Sequence, residues 1–173
     1  MIVLGIDPGI AITGYGVITS RGDRIAAVDY GCLQTTAGTP SWLRLKTIHD
    51  GVLRLVEAYS PDAIAVEKLF FCRNTTTAMA VGEARGAALV AAAGSGGLVR
   101  EFTPMQVKQA VTGYGKADKR QVQLMVKTLL GLREAPSPDD VADALAIAIA
   151  CAHTMETASR IDLAVPPGAV IPP

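Results

Sequence analysis

Ile2-Val3-Leu4-Gly5-Ile6-Asp7-Pro8-Gly9 opens the chain. Five apolar residues in unbroken succession predict a central strand, Ile2–Ile6, buried on both faces. Asp7 closes it. A carboxylate set directly after a buried strand needs a partner, because unpaired buried charge is expensive. Thr13–Ser20 predicts a second strand, Arg21-Gly22-Asp23 a turn, and Arg24–Leu33 a third strand, so the chain begins as an antiparallel meander. The period then changes. Trp42, Leu45, Ile48, Val52, Leu55, Val56 and Tyr59 follow helical spacing, and Ser60-Pro61 stops the helix.

Ala63–Val66 reads as a short strand ending at Glu67, Thr77–Ala93 as a helix rich in Ala and Gly, and Leu98–Phe102 as the last strand. Helices are predicted over Pro104–Val111, Lys119–Leu130 and Pro138–Met155. Strand, crossover helix, strand favours parallel pairing. The fold class is therefore α/β: a five-stranded mixed sheet with helices on both faces. One domain is expected over residues 1–157, followed by a flexible Pro-rich tail over 158–173. The length of 173 residues suits a single domain.

Composition excludes several classes. Half the residues are hydrophobic and 18% are charged, so the chain is not disordered throughout. Cys32, Cys72 and Cys151 are odd in number and far apart, which speaks against a disulfide framework or a CxxC metal site and for a reducing compartment. No uncharged stretch is longer than Gly86–Val99, which falls short of the roughly 20 residues of a spanning helix. With no basic flank or signal segment at the start, a cytoplasmic location is expected. The 16 basic and 16 acidic residues balance but are unevenly placed. Residues 101–133 carry 6 basic and 2 acidic side chains; residues 134–173 carry 1 and 6. Such a pairing suits a protein that grips phosphates and holds cations, although an ordinary solvated surface produces the same counts.

If the strands ending in Asp7 and Glu67 are parallel neighbours, both carboxylates stand at the ligand-binding edge of the sheet. A third acidic group lies in Ser137-Pro138-Asp139-Asp140-Val141-Ala142-Asp143-Ala144. Ser137 suits an N-cap, Pro138 the first helical position and Asp140 the third, as in a capping box, which offers Asp140 a structural role. Asp143 is different: it lies one turn into a helix that is apolar nearly all round, where a lone carboxylate demands a metal or a base. Asp140 and Asp143 share a face, but so do Asp139 and Asp143, and spacing does not choose between them. Carboxylates without a matching His or Cys cluster suit Mg²⁺ or Mn²⁺. Two such ions about 3.5–4 Å apart promote in-line phosphoryl displacement. His49 and His153 sit on apolar-patterned helices and read as packed residues.

Gly5-Ile6-Asp7-Pro8-Gly9 with Thr13-Gly14-Tyr15-Gly16, Val66-Glu67, and Asp140-Val141-Ala142-Asp143-Ala144-Leu145-Ala146-Ile147-Ala148 resembles the RuvC Holliday junction resolvases over roughly residues 1–155. The resemblance implies a ribonuclease H-like fold. It also implies a homodimer that nicks two strands of a four-way DNA junction, leaving 3′-hydroxyl and 5′-phosphate ends, and a link to the RuvA–RuvB branch-migration complex. It selects Asp7, Glu67, Asp140 and Asp143 as the catalytic, metal-binding set. Some family members carry His at position 140, so Asp there bears on metal preference. Asp139 is left as a helix N-terminus charge.

Phe70 and Phe71 stand beside Glu67, followed by Arg73. An aromatic side chain there suits stacking on an unpaired base at the crossover, and the resemblance supports Phe70 in that role with Phe71 and Arg73 nearby. A loop stapled into the core is the structural alternative. In the basic segment, Lys108 and Lys119 match basic positions of the family as phosphate contacts, with Arg120 and Lys116 closer to ordinary surface residues. Gly82 and Gly86, one turn apart, are costly in a helix and point to close approach of another element. That element is either the domain's own sheet or, by resemblance, a two-fold partner. Three alternatives stay open: an actin- or sugar-kinase-like ATPase, a non-catalytic junction-binding module, and a ribonuclease or other small nuclease of the same superfamily.

Overall fold

The computed structural model describes residues 1–22, 24–68, 75–94 and 96–164, with backbone only at 75–77 and 159–164. Its elements are β1 (Ile2–Asp7), β2 (Ile12–Arg21), β3 (Arg24–Gln34), α1 (Ser41–Tyr59), β4 (Ala63–Glu67), α2 (Thr75–Ala93), β5 (Leu98–Phe102), α3 (Pro104–Thr112), α4 (Lys119–Leu129) and α5 (Asp139–Ala164). The strands form one sheet in the order β3-β2-β1-β4-β5. β1–β2 and β2–β3 pair antiparallel, whereas β4 pairs parallel with both β1 and β5. Every predicted strand and helix forms. The mixed sheet follows from its connections: tight links join the meander, and helical crossovers α1 and α2 bring β4 and β5 in parallel.

Alternation along the central strands divides the core. Val3, Ile18, Ala63 and Ala65 face α3, α4 and α5. Leu4, Ile6, Val17, Ile64 and Val66 face α1 and α2. The continuous apolar runs of β1 and β4 exist because both sheet faces are covered. α1 is amphipathic and buries Ile48, Gly51, Val52 and Val56. α2 buries Ala84, Ala88, Ala91 and Ala92, small residues that bring it close to its neighbours.

Two helix boundaries differ from expectation. α5 continues to Ala164, past the predicted tail boundary at 157. It also begins at Asp139, so Pro138 precedes the helix, and the carbonyl of Pro138 accepts from Val141 N–H. Asp140 is thus the second helical residue, and the Ser137–Asp140 capping box is replaced by this backbone turn. In length and apolarity, the stretch Asp139–Ala158 passes for a membrane span. It lies instead against the sheet, with Val141, Ala142 and Ala144–Ala152 buried.

Candidate active site

Asp7 and Glu67 are the last residues of β1 and β4. Ile6 stands opposite Val66 in that parallel pair, so the two carboxylates leave the sheet side by side. Side chains alternate along a strand, and the parity of Val3 and Gly5 puts Asp7 on the α5 face. Ala63 and Ala65 do the same for Glu67. The loop after Asp7 is tied down: Thr13 Oγ1 donates to the Gly9 carbonyl at 2.8 Å, and Arg44 Nη2 donates to the Ile10 carbonyl at 3.1 Å.

Three strand glycines admit α5 to this face. A Cβ on Gly5 would lie 2.7 Å from the Ala148 nitrogen, one on Gly14 2.5 Å from the Asp140 carbonyl carbon, and one on Gly16 2.6 Å from Leu145 Cδ2. Gly14 is also the register partner of Asp7. The first turn of α5 therefore rests on the residue beside Asp7, which brings Asp140 and Asp143 to the sheet carboxylates. All three glycines belong to the Gly5–Gly9 and Thr13–Gly16 motif segments. The available signal was glycine inside a strand pattern, which marks close backbone approach.

The electrostatics follow from this convergence. Burial, followed by the charges of Glu67, Asp143 and Asp140, pushes the Asp7 carboxyl up to about 7, against the opposing pull of Lys119. Burial and Asp143 raise Glu67, opposed by Lys108 and Lys119. Burial also raises Asp143, opposed by its bond to Lys119. Glu67, Asp143, Lys108 and Lys119 line one cleft of about 200 Å³. A larger cavity of about 590 Å³, bordered by Phe102, Met105, Tyr114 and Lys116, contains none of the carboxylates.

The basic residues enter on capped helices. Thr103 and Gln106 form a capping box at the start of α3, which carries Lys108. Asp118 and Gln121 form another at α4, whose first residue is Lys119. Lys119 Nζ pairs with Asp143 and Asp139, both at 3.2 Å. Burial opposes the Lys119 charge, but the bonds to Asp143 and Asp139 outweigh it and raise the pKa. Lys119 thus borders the acidic cleft while its side chain stays 53% exposed. Asp139, expected as a helix N-terminus charge, also accepts from Gln123 Nε2 at 2.8 Å. Arg120 and Lys116 are exposed. His153 Nδ1 meets the Ala110 carbonyl at 3.2 Å, in keeping with a packed role, whereas His49, 36% exposed, meets its neighbour Asp50 at 3.1 Å. Cys32 and Cys151 are free thiols. Phe70, Phe71, Arg73 and Cys72 lie outside the described residues.

Among the described residues, no three His, Cys, Asp or Glu side chains draw in to a common ligand distance. The donor set nevertheless fits a hard divalent cation. It offers carboxylate oxygen without competing nitrogen or sulfur, and a divalent charge would offset both the burial and the carboxylate repulsion that together lift Asp7 to about 7. Lys119 supplies part of that positive charge.

A mixed sheet of this order, with acids from β1, β4 and α5 meeting at one edge, defines a ribonuclease H-like nuclease. Residues 3–152 match the family described as crossover junction endodeoxyribonuclease RuvC. The crossover junction endodeoxyribonuclease RuvC of Desulforamulus reducens is 59% identical over 157 residues, covering 91% of this chain and 96% of that protein. Its counterpart from Desulfitobacterium hafniense is 55% identical over 161 residues, covering 93% and 98%. Thermus thermophilus RuvC, solved in complex with Holliday junction substrate, superposes with a TM-score of 0.87 at 43% identity, covering 92% of this chain and 97% of that one. The chain belongs to the RuvC family of crossover junction endodeoxyribonucleases. Nucleases of this family depend on divalent metal. Membership removes the ATPase alternative.

Proposed function

We propose that this chain resolves four-way DNA junctions by paired symmetric nicks, in DNA recombination and repair, with Asp7, Glu67, Asp140 and Asp143 as its metal-binding acids. The observation that carries this reading is the meeting of β1, β4 and α5 carboxylates beside Lys119. Two Mg²⁺ ions, replaceable by Mn²⁺, suit these oxygen donors and, when bound, supply Lewis-acid chemistry for in-line hydrolysis of a phosphodiester. Asp7 and Glu67 hold their positions from the rigid sheet edge; Asp140 and Asp143 approach from the helix. Lys108 and Lys119 draw the phosphate backbone toward the cleft and orient it. Arg120 extends that basic rim. Phe70, with Phe71 and Arg73, follows Glu67 in the chain and suits stacking against an unpaired base at the crossover.

A homodimer matches the two-fold character of the junction and brings one site to each scissile strand. α2 supports it. Among the described residues, a Cβ on Gly86 would meet nothing within 4 Å, so the sheet of its own domain does not require this glycine. Met79 and Val90, on the same stripe, are 70% and 66% exposed. A helix face of this kind suits a second copy. Residues 1–157 form the nuclease unit in this reading, acting in the cytoplasm and receiving junctions from a RuvA–RuvB branch-migration complex.

The test offers a synthetic four-way junction and a linear duplex of the same sequence to the protein with Mg²⁺. Paired nicks in the junction alone, with 5′-phosphate ends, are expected. Equal cutting of both substrates would assign a general nuclease instead.

A further inference from the structure

Arg85 leaves α2 at the border of its buried Ala84-Ala88-Ala92 face, and its side chain is only 18% exposed. Its Nε donates to the carbonyl oxygen of Glu67 at 2.9 Å. The same guanidinium pairs with the carboxylate of Glu101 on β5. One side chain therefore joins the crossover helix, the edge strand and the backbone of a site carboxylate.

Glu67 is in particular need of such a hold. It is the last residue of a strand only five residues long. Its side chain is half-buried beside Asp7 and Asp143, whose charges repel it. On the β1 side, Pro8 follows Asp7 and has no N–H to extend the ladder. On the β5 side, Lys68 N–H donates to the Phe102 carbonyl at 2.8 Å, one bond beyond the carboxylate. Arg85 completes the clamp from above. A planar guanidinium serves a carbonyl and a carboxylate together, which an ammonium on a flexible stem does poorly.

We propose that Arg85, held by Glu101, is a positioning residue that sets the backbone of Glu67 and thereby the aim of its carboxylate toward bound divalent ions. It touches neither the metal nor the DNA in this scheme. The inference rests on the reading of Glu67 as a metal-binding acid. Outer partners of this kind are coupled to metal affinity and turnover through the ligand they orient.

The test uses the full chain with Arg85→Gln, Arg85→Lys and Glu101→Gln. Mn²⁺ binding to the DNA-free protein is followed by electron paramagnetic resonance, junction affinity in Ca²⁺ by anisotropy, and kcat and KM for junction cleavage in Mg²⁺. In Arg85→Gln, Mn²⁺ binding and kcat are expected to fall by about 10-fold or more, with junction affinity and KM within about two-fold. Glu101→Gln should show a smaller loss of the same kind, and Arg85→Lys a partial recovery. A folded Arg85→Gln with wild-type Mn²⁺ binding and kcat would overturn the proposal. So would a matching loss of junction affinity, which would place Arg85 on the DNA. If Arg85→Gln does not fold, Arg85→Lys decides alone, and wild-type Mn²⁺ binding and kcat in that variant overturn it equally. Failure of the wild-type protein to nick junctions would instead defeat the reading of function, while the Mn²⁺ arm still reports on Glu67.

Discussion

Gly14 and Asp140 touch backbone to backbone: a Cβ on Gly14 would lie 2.5 Å from the Asp140 carbonyl carbon and 3.1 Å from the Val141 nitrogen. No side-chain rotation relieves such an overlap, so the strand or the helix must move. Gly14→Ala is expected to lift the first turn of α5 from β2 and carry Asp140 and Asp143 away from Asp7. Overpacking of this type costs about 1–3 kcal/mol. Chemical denaturation and junction cleavage check it, and cleavage should fall further than the folded fraction does. Wild-type activity in a folded variant would mean that the α5 contact does not set the site.

Asp7→Asn is expected to abolish cleavage while stabilising the metal-free fold. The Asp7 carboxyl titrates at about 7 in the folded protein and near its ordinary 3.8 when unfolded. Between those values the native state binds the extra proton, so metal-free stability falls as pH rises from about 4 to about 7 and stays lowered above. Glu67 and Asp143, also raised, act in the same direction. At pH 8 in EDTA the Asn variant should exceed wild type by on the order of a few kcal/mol, with the gap closing toward pH 4. Denaturation at both pH values reads it; identical stabilities at pH 8 would argue against charge crowding at Asp7.

Lys119→Ala removes the cation shared by Asp143 and Asp139. Junction binding in Ca²⁺ should weaken, and the slope of log affinity against log salt should become shallower by about 1. An unchanged slope would leave Lys119 as an internal counter-ion with no phosphate contact.

Gly86→Ala separates the two explanations of that glycine. Among the described residues, no atom of its own domain lies within 4 Å of the added methyl. The monomer should therefore hold or gain stability, by about 0.5–1 kcal/mol from helix propensity. Self-association should weaken, and Val90→Asp should weaken it more. Sedimentation across a concentration series provides the readout, and unchanged association in both variants would exclude this face.

Much of this site was legible along the chain because strand burial and helix periodicity are local signals. The apolar run Ile2–Ile6 ending at Asp7, the run Ala63–Val66 ending at Glu67, and an acid within a nearly all-apolar helix each announce themselves within a few residues. Spacing left Asp139 and Asp140 equivalent; the family resemblance favoured Asp140. In the fold the two diverge, with the Asp140 backbone on Gly14 and the Asp139 side chain bound to Lys119 and Gln123. Lys119 is the exposed cation its sequence suggests, but its pairing with Asp143 and Asp139 joins α4 to α5 across a long sequence separation and has no local signal.

The sequence by itself determined the order of elements, the acids at the strand ends and the kinship that names their chemistry, since each depends on residue type and near-neighbour spacing. The tertiary structure alone decided that Gly5, Gly14 and Gly16 admit α5 to the sheet, that Lys119 sits among the carboxylates, and that Arg85 grips Glu67. These are contacts between segments far apart in the chain, and their energies depend on distance and burial that arise only when the layers pack.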